Sequence, residues 1–78
     1  MLAAEVSLYP QKAEDCDRVI RNAVETLGKK GLSYEVGSVS TFIRGDAERV
    51  WDGLRSLFDE AGKQGCEVNM VIQMREIG

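Results

Sequence analysis

The sequence has no histidine among its 78 residues, only one proline and only two cysteines. Histidine is the side chain that most often does acid–base work near neutral pH, and it is the commonest metal ligand. Its absence, with no paired-carboxylate cleft to replace it, argues against an enzyme. Cys16 and Cys66 stand far apart and form no CxxC pair. A structural zinc site draws on several Cys and His ligands, so neither a metal nor any cofactor is expected. The cysteine usage fits a reducing, cytoplasmic compartment. Positive charge is also short, with 10 Lys+Arg against 13 Asp+Glu and a net charge of −3. Nucleic acid, which needs a basic surface, is not an expected partner. No apolar run approaches the roughly 18 residues of a membrane span. The opening Met1-Leu2-Ala3-Ala4-Glu5 has neither the basic region nor the apolar stretch of a secretory signal. No membrane partner is expected either.

What is present fits one domain over residues 1–78. The chain is 44% hydrophobic and 29% charged, ordinary values for a globular protein. A domain this small buries a limited share of its surface, so pairing with a second copy would help it.

Along the chain, apolar periodicity changes between two and three-to-four. Ala4, Val6 and Leu8 alternate with Glu5, Ser7 and Tyr9, which predicts a half-buried strand over residues 2–9. Pro10 has no amide hydrogen and is expected to close it. Cys16, Val19, Ile20, Ala23, Val24 and Leu27 then recur at helical spacing, with Asp15 placed to cap. Arg18, Arg21, Asn22 and Glu25 make the wet face. Lys29 and Lys30 suit the negative helix end, and Gly31 the left-handed stop. A second strand follows in Leu32, Tyr34 and Val36, a turn at Gly37-Ser38, and a third strand over 39–44. Gly45-Asp46 breaks that strand and opens a second helix. Its apolar stripe is Ala47, Val50, Trp51, Leu54, Leu57, Phe58 and Ala61, so Trp51 is expected in the core. Gly65 ends the helix. The last strand alternates Cys66, Val68, Met70, Ile72 and Met74 against Glu67, Asn69, Val71, Gln73 and Arg75.

The order β-α-β-β-α-β predicts an α+β, ferredoxin-like sandwich: a four-stranded antiparallel sheet with two helices on one face. Right-handed crossovers place the first and third strands at its centre. The helices cover the face of Val6, Leu8, Val68, Met70 and Ile72, packing it under Val19, Ile20, Val24, Leu54 and Phe58. The other face is left with Glu5, Ser7 and Tyr9, with Asn69, Val71, Gln73 and Arg75, and with Ser40, Phe42 and Arg44 from the third strand. Thr41 then points inward or sits near the strand edge. Tyr9, Phe42 and Val71 are apolar for a wholly wet surface, which favours a face covered by a second subunit.

Several stretches resemble a known family. These are Ala4-Glu5-Val6-Ser7-Leu8-Tyr9-Pro10, Gly31-Leu32-Ser33-Tyr34-Glu35-Val36-Gly37 and Thr41-Phe42-Ile43-Arg44-Gly45-Asp46. The chain is similar over residues 3–75 to the small thiamine-binding proteins, which bind thiamine or its hydroxymethyl-aminopyrimidine half. The resemblance implies a ferredoxin-like fold, pairing into a homodimer or homotetramer, no catalysis, and a ligand against the sheet near the subunit contact. The family's pattern places an acid three residues after a threonine and before a glycine. Here Thr41 and Gly45 match, and Arg44 stands at the acidic position. A basic residue there would repel a thiazolium cation and suits an anionic or neutral ligand better.

The residues themselves support a small-molecule site. A carboxyl such as Glu5 can bridge the ring nitrogen and amino group of an aminopyrimidine. Ser7, Thr41, Asn69 and Gln73 offer further polar contacts, and Tyr9 or Phe42 a ring to stack on. A salt bridge from Glu5 to Arg75 or Arg44 is the competing role, and dimer packing competes for Tyr9 and Phe42. Cys16, at a helix start with no histidine partner, reads as a buried or idle thiol. RNA-recognition domains share the element order but need a basic surface and their own motif. Acylphosphatases need a glycine-rich phosphate loop after the first strand, and metal chaperones need a CxxC there; the chain has neither. Two functions remain: a thiamine- or pyrimidine-binding carrier or sensor, or a regulatory assembly module acting through sheet packing between copies.

Overall fold

In a computed structural model, which describes residues 1–11, 14–37, 40–64 and 67–77, the chain follows the expected order. The elements are β1 (Leu2–Gln11), α1 (Cys16–Lys29), β2 (Ser33–Val36), β3 (Thr41–Gly45), α2 (Ala47–Gly62) and β4 (Glu67–Glu76). The sheet runs β2-β3-β1-β4 with every neighbouring pair antiparallel, so β1 and β3 are central. Both helices lie on one face. The turn expected at Ser38, the start of the third strand at Val39, the helix stop at Gly65 and the register of Cys66 lie outside the described residues.

Local chemistry accounts for the helix limits. Asp15 accepts a hydrogen bond from the Arg18 amide at 3.1 Å, and Asp46 does the same for Arg49 at 3.0 Å. Each satisfies an amide that the first helical turn leaves unpaired. α1 stops where Gly31 takes φ +70°, a conformation that costs glycine nothing.

Alternation in the strands assigns the two faces. Ala4, Val6, Ile43 and Thr41 are buried under the helices, with Leu8, Val68, Met70, Ile72 and Met74 packed around them. Val19, Ala23, Val24 and Leu27 from α1 and Val50, Leu54, Leu57 and Ala61 from α2 close the core from above. Leu32 joins that core through a slot between two glycines. A Cβ on Gly45 would stand 2.8 Å from Leu32 Cδ2, and one on Gly53 would sit on Leu32 Cδ1. The absence of both side chains lets Leu32 pin the start of β2 between β3 and α2.

Three expectations change. First, Pro10 does not end β1. The strand runs on to Gln11, and Pro10 is paired with Val68. Among the described residues, pairing with β3 stops at Val6 and Pro10 pairs with β4 alone, a position that tolerates a missing donor. Second, Trp51 and Phe58 are not in the core: they are 58% and 43% exposed. The buried stripe of α2 is Val50, Gly53, Leu54, Leu57 and Ala61. Trp51 and Phe58 sit on its flank, seven residues apart, and line a groove with Met70 and Ile72 of the edge strand β4. Among the described residues, no strand lies beyond β4 for them to pack on. Third, Asn22 is not on a wet face. Its amide donates to Gln64 Oε1 at 3.0 Å, while Gln64 Nε2 donates to the carbonyls of Val19 and Glu60 at 3.3 Å. This polar tie fastens α1 to the end of α2. No helix among the described residues is long and apolar enough to cross a membrane.

Candidate functional site

Among the described residues, no buried side-chain polar atom lacks a hydrogen-bond partner. Nothing in the core therefore asks for a ligand, which leaves the sheet face opposite the two helices. The register sets that face out in rows. Glu35, Phe42, Glu5 and Gln73 stand side by side across β2, β3, β1 and β4. Ser33, Arg44, Ala3 and Arg75 form the next row toward the start of β1. In the other direction Ser7 stands beside Val71, and Tyr9 beside Asn69.

Spacing decides which residues can share one small ligand. Directly paired residues have Cβ atoms about 5 Å apart, and rows repeat at about 6.6–6.8 Å along a strand. A single six-membered ring thus spans one row and part of the next. Glu5, Phe42 and Gln73 fall together, with Ser7 one row away. Tyr9 and Asn69 are two rows from Glu5, about 13 Å along the strand. They can meet the far end of a two-ring ligand but not the same ring as Glu5.

Thr41 does not belong to this group. It is 6% exposed and points under the helices, because β3 alternates and Phe42 takes the open side. Its neighbours are Val6, Leu8, Ile20, Val36 and Ser40, around a cavity of about 330 Å³ at the start of β3 that Tyr9 also borders. Within that cavity Thr41 is separated from Glu5 by the thickness of the sheet.

The chemistry of the central row is a carboxylate flanked by an aromatic ring and a primary amide. Among the described residues, no ion pair joins Glu5 to Arg44 or Arg75. The carboxylate is therefore open to an outside donor. Phe42 is 36% exposed and offers a ring face beside it. A shallow depression of about 690 Å³ covers this row and the next, bounded by Glu5, Phe42, Gln73, Arg44, Ala3 and Arg75. Sequence reasoning missed the importance of Ala3. Its small side chain between two arginines is legible only once the register is known.

The model of the YKOF-related family matches residues 2–75. The chain belongs to the YKOF-related family. It is similar to a domain of unknown function, DUF77, from Bacillus cereus, at 26% identity and TM-score 0.88, over 97% of this chain and 75% of that one. A hypothetical protein from Methanocaldococcus jannascii has the same fold at 20% identity and TM-score 0.88, over 99% of this chain and 80% of that one. A Thermotoga maritima protein provisionally assigned to thiamine biosynthesis or salvage also shares it, at 24% identity and TM-score 0.70, over 91% of this chain and 80% of that one. No curated protein matches. The YKOF-related match establishes the family, and the element order together with the Bacillus cereus likeness establishes the ferredoxin-like fold.

Proposed function

We propose that this YKOF-related protein is a non-catalytic small-molecule binder whose ligand carries an aminopyrimidine, as thiamine and its hydroxymethyl-aminopyrimidine half do. The carrying observation is the row Phe42–Glu5–Gln73, in which ring, carboxylate and amide are adjacent on an uncovered sheet face. An aminopyrimidine presents a ring nitrogen beside an amino donor. Glu5 accepts from the amino group and from the ring nitrogen in its protonated form, a charge-assisted pair of hydrogen bonds. Gln73 offers both donor and acceptor to the remaining polar edge, and Phe42 stacks on or abuts the ring. The likeness to the Thermotoga maritima protein assigned to thiamine biosynthesis or salvage supports the same ligand class.

A second copy of the chain completes the site in this reading. Tyr9, Phe42 and Val71 are 52%, 36% and 60% exposed on the open face. Two such faces stacked in a homodimer, or two dimers in a homotetramer, bury these side chains and enclose a ligand lying on Glu5. The same observation favours a second reading, in which the sheet face serves assembly alone. Calorimetric titration with hydroxymethyl-aminopyrimidine separates the two. Saturable heat whose affinity falls at least about tenfold in Glu5→Gln supports the binder. An absence of heat at millimolar ligand, with the protein folded and oligomeric, supports the assembly module.

A further inference from the structure

The row next to Glu5 holds two positive charges across the smallest side chain on the face. Ala3 is in register with Arg44 on one side and Arg75 on the other. Both arginines are exposed, while Ala3 between them is only 9% exposed. Long arginine stems lie along such a surface and keep their charged ends free. Among the described residues, neither guanidinium forms an ion pair. The nearby acid Glu76 is engaged by the Met1 ammonium at 3.1 Å, and Asp46 by Arg49 at 3.4 Å. The row itself contains no acid; its fourth member, Ser33, adds a hydroxyl beside Arg44. The two arginines and Glu5 border one depression of about 690 Å³.

This arrangement suits an anion with several acceptor oxygens. Two guanidinium forks approaching from opposite strands can each donate a pair of parallel hydrogen bonds to a phosphate, and Ala3 leaves room for it between them. The step from the Glu5 row to the Ala3 row is about 6.6–6.8 Å. That is the scale separating the polar edge of a pyrimidine from a phosphate on its one-carbon arm.

We propose that the ligand of this face is a phosphate monoester, with its phosphate between Arg44 and Arg75 over Ala3 and its aminopyrimidine on Glu5, Phe42 and Gln73. This rests on the aminopyrimidine reading above and names the ligand's second half. Thiazolium, being cationic, is turned away from this row, toward Ser7 and Tyr9.

The test is calorimetric titration of the full chain with three probes: hydroxymethyl-aminopyrimidine, its phosphate monoester, and inorganic phosphate alone. The ester should bind about tenfold more tightly than the alcohol, one step of 1.4 kcal/mol at an exposed charged site. In the R44Q/R75Q double variant, shown folded by circular dichroism, the ester's affinity should fall to that of the alcohol. Raising the salt from about 0.05 to 0.5 M should erase the same advantage. An ester that binds no better than the alcohol, or an advantage that survives loss of both arginines, overturns the phosphate assignment and leaves the aminopyrimidine reading standing. Failure of both pyrimidines to bind overturns both. Inorganic phosphate binding as tightly as the ester also overturns the two-part ligand, because the base would then contribute nothing.

Discussion

Leu32 sits in the slot between Gly45 and Gly53, and adding a methyl group to Gly53 tests whether that slot sets the distance of α2 from the sheet. Two effects oppose each other. Replacing glycine by alanine inside a helix is worth about 1 kcal/mol in propensity. The new Cβ, however, would overlap Leu32 Cδ1 and stand 3.2 Å from Leu27 Cδ2. Leu32 and Leu27 are 7% and 0% exposed, so neither moves freely into solvent. Overpacking of this kind costs about 1–3 kcal/mol. Gly53→Ala should therefore destabilise the protein by up to about 2 kcal/mol despite its better helix propensity. Leu32→Ala alone should cost about 2–5 kcal/mol as a cavity-forming change. In the Leu32→Ala background the sign of Gly53→Ala should reverse, because the methyl then enters vacated space and the propensity gain of about 1 kcal/mol remains. The coupling is read from a double-mutant cycle by urea denaturation, with midpoints compared at constant slope. Additivity within about 0.5 kcal/mol, or a stabilising Gly53→Ala in the native background, refutes the steric argument.

The other predictions are shorter. Asp46→Ala removes the acceptor of the Arg49 amide and should cost about 0.5–2 kcal/mol in the same assay. Trp51→Ser should change stability by less than about 1 kcal/mol, since the side chain is 58% exposed, whereas a core tryptophan would cost several times that. Arg44→Glu puts an acid at the position where the small thiamine-binding pattern has one and lowers the positive charge on the face that a thiazolium would share. Titration should show thiamine binding tightened by about threefold to tenfold relative to the native chain, and unchanged or weaker binding would count against a cation lying on this face.

The face assignment was largely legible in the sequence because a strand's period of two leaves little freedom once one side is apolar. Glu5, Ser7 and Tyr9 had to share a side opposite Ala4, Val6 and Leu8, and Asn69 and Gln73 one opposite Met70 and Ile72. What periodicity cannot supply is the neighbour on the adjacent strand. The pairing of Glu5 with both Phe42 and Gln73 depends on register, and so does the placing of Ala3 between Arg44 and Arg75. The same ignorance of neighbours explains Trp51. A helical stripe shows which residues lie near one another, but how wide a stripe is covered depends on where the sheet stops, and β4 is its edge. Thr41 was ambiguous for a related reason, because a five-residue strand with apolar residues in both phases, Ile43 in one and Phe42 in the other, carries no clear alternation. Pro10 misleads because its cost depends on whether strands flank it on both sides, and among the described residues its one strand partner is β4.

The central claim is that the carboxylate of Glu5, beside Phe42 and Gln73, holds an aminopyrimidine. Titration of hydroxymethyl-aminopyrimidine into the native chain and into Glu5→Gln tests it directly. A saturable heat is expected for the native chain and an affinity at least about tenfold lower for the variant, the loss of a hydrogen-bonded charge. Equal affinity for the two proteins, or no heat from a folded native chain at millimolar ligand, would contradict it.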